Sequence, residues 1–365
     1  MADPCLSLQV LGGRQLGGAD QFYLRLVRAL HEAGQPVIAV NRARSPVARE
    51  LARTAVEQIH LPFANQWDFW SALRLRQLVR AHQPCVVQTY MGRATRLTRL
   101  SPNGHAVHIA RLGGYYKIDG YYRHAHAWIG NTRGLCDYLV QQGLPAHRVY
   151  HIGNFVPDPV AVSEARREEL RALHRIPREA WVLFALGRLI GSKGFDDLLE
   201  ALSLLPTELG GRPMVLLIAG DGPLAAPLRR QAAALGVVGR IRWLGWQNAP
   251  GEWYALADAF VCPSRHETLG NVILEAWSYA LPVVSTETRG ALELIVPGET
   301  GLLSPCADPA ALAERLRELF TSSEAARAEL GRRGYRFLTE RFSREAILAA
   351  YLNLYEQLLA ERMRA

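Results

Sequence analysis

Trp181-Val182-Leu183-Phe184-Ala185-Leu186-Gly187-Arg188-Leu189-Ile190-Gly191-Ser192-Lys193-Gly194 reads as a strand that runs straight into a glycine-rich turn. A short unbroken apolar run bounded by a turn suits a strand covered on both faces. The residues that follow, Lys193–Leu204, carry apolar side chains at helical spacing and predict a helix. Strand, turn and helix in that order open a parallel α/β unit, with the positive end of the helix facing the turn. Arg188 is then expected at the carboxyl end of the strand and Lys193 in the first turn of the helix. There both meet whatever the turn binds.

The same alternation runs along the whole chain. In the first half, strands are expected near Leu8–Leu11, Val37–Val40, Cys85–Gln88, Ala106–Ala110 and Ala127–Ile129, with helices at Ala19–Ala33, Asp68–Ala81 and Arg133–Gln142. In the second half, strands are expected at Trp181–Leu186, Met214–Ala219, Ile241–Leu244, Ala259–Cys262 and Pro282–Ser285. Their helices are Lys193–Leu204, Leu224–Leu235, Asn271–Tyr279, Pro309–Leu319 and Ser343–Arg362. Strand–helix alternation implies parallel sheets with right-handed crossovers. The expected fold class is therefore α/β, with two doubly wound Rossmann-like domains and a ligand cleft between them. The Gly- and Pro-rich stretch Gly153-Asn154-Phe155-Val156-Pro157-Asp158-Pro159, followed by the charged Glu164–Arg175, marks the boundary. Residues 1–158 form the first expected domain and 159–342 the second. Residues 343–365 form a helix expected to pack back towards the first domain.

Composition narrows the class. A length of 365 residues suits two domains, and 49% hydrophobic with 21% charged residues describes a globular chain. Cys5, Cys85, Cys136, Cys262 and Cys306 are scattered, without a Cys-x-x-Cys pair, so reduced thiols are expected rather than zinc or disulfides. The start runs directly into Leu8-Gln9-Val10-Leu11, which reads as no signal peptide, and no apolar run approaches the ~20 residues of a membrane span. A cytoplasmic protein is expected. Charge is uneven: residues 1–160 hold 18 Arg plus Lys against 9 Asp plus Glu, while 161–365 hold 24 against 25. A net +9 in the first half points to an anionic partner there, such as an acidic glycan or the anionic inner leaflet.

Of 42 basic residues only Lys117 and Lys193 are lysine. A compact ammonium kept in a glycine-flanked turn suits phosphate where the planar arginine fork would not. The companion segment is Glu267-Thr268-Leu269-Gly270-Asn271-Val272-Ile273-Leu274-Glu275. Eight residues of helix rise about 12 Å, more than the roughly 5–9.5 Å between the two carboxylates of a glycoside hydrolase. Glu267 is thus expected in the loop before the helix, facing a polyol, and Glu275 one turn inside it. Leu269, Gly270 and Asn271 between them offer backbone N–H groups to phosphate. Taken singly, each element also fits solvated loop cations or a carboxylate at a helix start. Together they describe a phosphate bridge between hydroxyl-rich groups, a nucleotide sugar.

These motifs, continuing as Ala276-Trp277 and Ala280-Leu281-Pro282-Val283-Val284, resemble glycosyltransferase family 4. The likeness extends to Gly220-Asp221-Gly222-Pro223, Ala257-Asp258 and Gly17-Gly18-Ala19-Asp20. The resemblance implies a GT-B fold and a retaining transfer of a hexose-type sugar, UDP preferred, to a cell-envelope glycan such as lipopolysaccharide core. It implies that Arg188 and Lys193 hold the donor diphosphate, with Gly187 at the turn, and that Glu267 meets the transferred sugar. Glu275 would bind the ribose, Leu269, Gly270 and Asn271 the distal phosphate or sugar, and Gly17 and Gly18 the donor across the cleft. No cofactor and no divalent metal is implied. The likeness departs where many members carry a histidine beyond the fourth strand; here the stretch reads Ala110-Arg111-Leu112-Gly113-Gly114-Tyr115-Tyr116. Asp20, His108, Arg111, Tyr115 and Tyr116 are the acceptor-side candidates that remain.

Trp67-Asp68-Phe69-Trp70 and the arginines of the following helix, with Arg93, Arg96 and Arg99, form a basic and aromatic surface suited to anionic lipid. They equally suit an amphipathic helix packed on its sheet. Three rivals use the same residues: a dinucleotide oxidoreductase, a sugar-nucleotide epimerase and an inactive nucleotide-binding scaffold. The first requires an acidic residue after the second strand, where this chain has Asn41. Nucleic acid would account for the charge but not for the glycines and glutamates.

Overall fold

The structure, a computed structural model, describes residues 5–14, 16–101 and 104–364. The chain divides into two units, Met1–Phe155 with Phe342–Ala365, and Val156–Arg341.

The first unit is built on seven strands, β1 (Ser7–Leu11), β2 (Val37–Asn41), β3 (Glu57–His60), β4 (Val86–Tyr90), β5 (Val107–Leu112), β6 (Ala127–Gly130) and β7 (Val149–His151). They lie in the order β3-β2-β1-β4-β5-β6-β7 and every pair is parallel. The crossovers carry α1 (Gly18–Glu32), α2 (Pro46–Leu51), α3 (Phe69–Ala81), α4 (Met91–Leu97) and α5 (Arg133–Gln141). Strands β1, β2, β4, β5 and β6 are buried along their length, as helices on both faces require. Side chains starting α2, α3 and α5 cap them: Ser45, Asp68 and Thr132 accept from the backbone N–H three residues on.

The second unit holds α6 (Glu164–Leu173), β8 (Trp181–Leu186), α7 (Phe195–Leu204), β9 (Glu208–Leu209), β10 (Arg212–Ala219), α8 (Ala225–Ala234), β11 (Ile241–Gly245) and α9 (Gly251–Leu256). It continues with β12 (Ala259–Cys262), α10 (Asn271–Ser278), β13 (Val283–Thr286), α11 (Arg289–Leu294), β14 (Leu302–Ser304), α12 (Pro309–Thr321) and α13 (Glu324–Arg341). The sheet order is β11-β10-β8-β12-β13-β14, parallel, with β9 added antiparallel to β10. Numbered within each unit and with β9 left out, the sheets run 3-2-1-4-5-6-7 and 3-2-1-4-5-6, the doubly wound order. Asp258 accepts from the Val182 N–H at 2.8 Å, so this carboxylate fastens the start of β8 beside β12.

The last helix, α14 (Arg344–Arg364), belongs to the first unit. Tyr351, Leu354, Tyr355 and Leu358 join the apolar cluster under α1 and β1. A closed polar ring is buried there. Gln9 Nε2 donates to Tyr355 Oη at 3.1 Å, Tyr355 to Gln88 Oε1 at 2.9 Å, Gln88 Nε2 to Tyr90 Oη at 2.6 Å, and Tyr90 to Gln9 Oε1 at 2.8 Å. Every member both gives and receives, which is what makes a buried polar group tolerable.

The sequence reading leaves out the strands β3, β7, β9 and β14 and the helices α2, α4, α6, α9, α11 and α13. β3, β7 and β14 are short strands at sheet edges, where one neighbour suffices and half-exposed side chains are allowed. α13 contains Gly331 and Gly334, which read as helix breakers. Here they bring the helix close, because a Cβ at either would strike the Ala280 carbonyl or the Trp277 ring. The helix expected from Lys193 begins two residues later, at Phe195. Lys193 closes a separate 3₁₀ turn, Gly191–Lys193, and Gly194 stands between them with φ +61°.

Candidate active site

In the second sheet the strand order reverses between β8 and β12. Connections from these neighbours leave to opposite sides, and the ends of the two strands border a crevice. The loops that follow them, Gly187–Gly194 and Pro263–Gly270, carry the donor-side candidates Gly187, Arg188, Lys193, Glu267, Leu269 and Gly270, with Asn271 and Glu275 on α10.

Lys193 Nζ forms an ion pair with Glu267 Oε1, and the same oxygen accepts from Ser264 Oγ at 2.9 Å. The side chains are 24% and 14% exposed, so the pair is shielded yet still reached by solvent. Gly270 caps α10 with φ +92°, a conformation glycine adopts without strain, and Leu269 before it is buried. The first N–H groups of α10 have no partner within the helix, as at any helix start. Glu275, one turn in, is half-buried and accepts from Tyr254 Oη at 3.2 Å. Arg188 is exposed and forms no ion pair among the described residues. A cation, a carboxylate and a helix N-terminus therefore meet at one strand end, with a second cation beside them.

The loops are rigidly held. Gly187 N–H donates to the Ala219 carbonyl at 3.0 Å and Leu189 N–H to that of Asp221 at 2.9 Å. Gly220 and Gly222 are indispensable to this, because a Cβ on either would strike the Gly187 or Leu189 backbone, and both have positive φ. The second fastening is Arg265. Its Nη1 donates to the Gly191 carbonyl at 2.9 Å and its Nη2 to Asp196 and Asp197 at 2.7 and 2.6 Å. Backbone N–H groups of Arg265 and His266 both donate to the Ser192 carbonyl, at 2.9 and 3.2 Å. Hydrogen bonds to the two aspartates hold the Arg265 guanidinium above its usual range despite burial. Its charge is thus committed to the fold rather than to a ligand.

In the first unit the candidates separate. Gly17 and Gly18 start α1, and Asp20 accepts from the Gly17 N–H at 3.0 Å, one half of a capping box. Burial raises the Asp20 carboxyl, with backbone N–H groups opposing. Tyr115 packs edge-on against Tyr138 with ring centroids 5.2 Å apart, and Tyr116 stacks on Tyr122 at 6.4 Å. Both stand half-buried beyond the carboxyl end of β5. Two of the acceptor-side candidates are buried. His108 lies within β5, 1% exposed, with Nε2 3.0 Å from Thr89 Oγ1; desolvation drives its pKa well below the usual value. It is a neutral packing residue. Arg111 is 2% exposed, donates to Asn154 and lies 4.2 Å over the Phe22 ring, so it supports the core in place of an open surface.

Sequence reasoning missed Arg265, Ser264 and Tyr254. Ser264 and Arg265 lie just before the quoted Glu267–Glu275 segment, where proximity alone was the available signal. Tyr254 lies on α9 and reaches Glu275 only through the fold.

The model for the family described as glycosyl transferases group 1 matches residues 166–337. The chain is 33% identical over 342 residues to the lipopolysaccharide core biosynthesis glycosyltransferase LpsE of Rhizobium meliloti, covering 93% of this chain and 95% of that protein. LpsD of the same organism, also a lipopolysaccharide core biosynthesis glycosyltransferase, is 30% identical, covering 95% and 97%. Among solved structures, Anabaena Alr3699/HepE in complex with UDP and glucose superposes with a TM-score of 0.83 at 17% identity, covering 97% of this chain and 100% of that one.

Proposed function

The chain belongs to the group 1 glycosyl transferases and has their GT-B fold, and from that membership we propose a retaining, metal-independent transfer of a hexose-type sugar from a UDP-sugar to a lipopolysaccharide-core-type glycan. The observation that carries this reading is the Lys193–Glu267 pair at the start of α10. Lys193 and Arg188 face the diphosphate, Glu267 the sugar and Glu275 the ribose. In the proposed reaction the anomeric carbon–phosphate oxygen bond breaks and its electron pair leaves with the nucleoside diphosphate. The acceptor hydroxyl oxygen bonds the anomeric carbon, and its proton departs with the diphosphate. Charge develops on the leaving phosphate, where fixed cations and helix N–H groups act most strongly. That supply of positive potential is the support for metal independence.

The test is thermal stability with UDP, GDP, ADP or NAD, each with EDTA, for the wild type and Lys193→Ala. A ligand that binds only the native protein stabilises it by about 2.7 kcal/mol at a hundred times its Kd. One nucleoside diphosphate is expected to raise the melting temperature, less so in the variant. A response to NAD alone would overturn the reading.

We also propose that the first unit rests on anionic lipid at the cytoplasmic face. Trp67, Phe69 and Trp70 are 71, 72 and 71% exposed, and Arg96 lies 4.1 Å over the Trp67 ring. Arg74, Arg76 and Arg80 of α3 are exposed beside them. Among the described residues no helix is long and apolar enough to cross a membrane. Exposed indoles beside arginines suit the headgroup boundary. Wild type is expected to sediment with phosphatidylglycerol vesicles but not phosphatidylcholine vesicles, and Trp67→Ser/Trp70→Ser to bind at least about tenfold more weakly. Wild type that ignores both vesicles would defeat it.

A further inference from the structure

Three arginines converge at the carboxyl end of the first sheet. Arg14 follows β1, Arg42 follows β2 directly, and Arg93 lies in the first turn of α4 after β4. Arg42 Nη1 and Arg93 Nη1 donate to one and the same oxygen, the Phe63 carbonyl, at 2.6 and 3.2 Å. Arg93 Nη1 also reaches the Gly12 carbonyl at 3.3 Å, and Arg14 Nη2 the neighbouring Ala64 carbonyl at 2.8 Å. All these acceptors are neutral. None of the three guanidiniums has a salt bridge among the described residues. Asp68, the one carboxylate acting on Arg42, is already engaged by Ala64 N–H, Ser71 N–H and Ser71 Oγ at 2.8, 3.0 and 2.6 Å.

Like charges gathered on a shared acceptor repel, and the fold tolerates this at a cost to its stability. Burial, then the charges of Arg14 and Arg93, lowers the Arg42 guanidinium from its usual range, with Asp68 opposing. Phe63, whose carbonyl accepts from Arg42 and Arg93, has φ +42°, a region that a bulky residue rarely enters. Such strain concentrates at ligand sites, where the surroundings hold it in place. The location agrees: β1 and β4 are the neighbours at which this sheet's order reverses, the usual ligand position in an open α/β sheet. A guanidinium offers five N–H donors, so each of the three keeps donors beyond the bonds described.

We propose that Arg14, Arg42 and Arg93 bind a phosphate group carried by the acceptor glycan. The inference rests on the transferase reading and deepens it, because it names the chemistry of the acceptor. A phosphomonoester brings a charge of about −1.5 to −2 and three acceptor oxygens, enough to engage three guanidiniums.

The experiment titrates inorganic phosphate into the full-length protein at constant ionic strength and follows the melting temperature. Wild type and Lys193→Ala are expected to respond alike. Arg42→Gln/Arg93→Gln is expected to weaken the apparent phosphate affinity at least about tenfold. Its melting temperature without phosphate should equal or exceed that of wild type, since repulsion is relieved; a purely structural role would lower it. Should the glutamine variant not fold, Arg42→Lys/Arg93→Lys keeps the charge but loses the fork, and is expected to bind phosphate more weakly than wild type. No phosphate response in wild type, an unchanged response in the arginine variants, or a response lost only in Lys193→Ala overturns the proposal. Phosphatidylglycerol vesicles separate the two sources of phosphate. Arginine variants that keep phosphate affinity but lose the vesicles would make the cluster a lipid surface and overturn it. The nucleoside diphosphate shift, which depends on Lys193, distinguishes failure of this site from failure of the transferase reading.

Discussion

Lys193→Ala is expected to lower turnover about a hundredfold or more while moving the melting temperature by only a few degrees. One fixed donor aimed at developing negative charge typically contributes 10²–10³ in rate, about 2.7–4 kcal/mol. In the proposed reaction Lys193 meets the diphosphate, where charge grows as the sugar departs, so kcat should fall more than KM rises. Stability responds less. The ion pair is partly solvated, and Glu267 keeps the Ser264 hydroxyl when the ammonium is gone. For a chain portion of this size about 1 kcal/mol corresponds to roughly 2–4 °C. Lys193→Arg should recover only part of the rate, since a planar fork replaces a point charge. Steady-state kinetics beside calorimetry decides the matter. Turnover within twofold of wild type would remove Lys193 from the chemistry, and a collapse of stability would make it a structural residue.

The second large effect is expected at Gly194→Ala. Gly194 has φ +61°, and a Cβ there would run into the Pro263 backbone carbonyl. The left-handed backbone alone costs about 1–2 kcal/mol in a residue with a Cβ. The collision adds to that, because two backbones and no flexible side chain must move. The loops after β8 and β12 would part, and with them Lys193 and Glu267. A melting temperature lower by at least about 5 °C is expected, with turnover falling further than stability explains. Gly191→Ala is the control: open space surrounds that position and its φ is not positive. A change there should stay within about 0.5 kcal/mol. Equal stability of the two variants would show that the loops do not need their close approach.

How much of this was legible depends on whether the signal was local. The run Trp181–Gly194 carries strand, turn and charge in one short stretch, and Glu267–Glu275 carries loop, helix start and charge, so both segments could be singled out from the sequence. The edge strands β3, β7 and β14 lack the apolar continuity that a two-sided neighbour enforces. Gly194 shows why a helix boundary escaped: the spacing of apolar residues did not reveal the left-handed residue that interrupts it. His108 was placed on the right strand and Arg111 just beyond it, though β5 runs on to Leu112, and a strand pattern does not tell a packed polar side chain from a presented one. Arg14, Arg42 and Arg93 lie far apart in the chain, and only a parallel sheet, which stacks the ends of successive strands together, makes them neighbours. The net +9 of the first half raised the expectation of an anionic partner without saying which arginines would meet it.

The ring of Gln9, Gln88, Tyr90 and Tyr355 also orders events in time. A ribosome issues Gln9 long before Tyr355, whereas the unit spanning Val156–Arg341 has every residue it needs before α14 emerges. Nascent domains usually mature from the amino terminus onward. In this chain the portion synthesised first must wait, its central glutamines unsealed, until the portion in the middle is already whole and the final helix arrives to lock it.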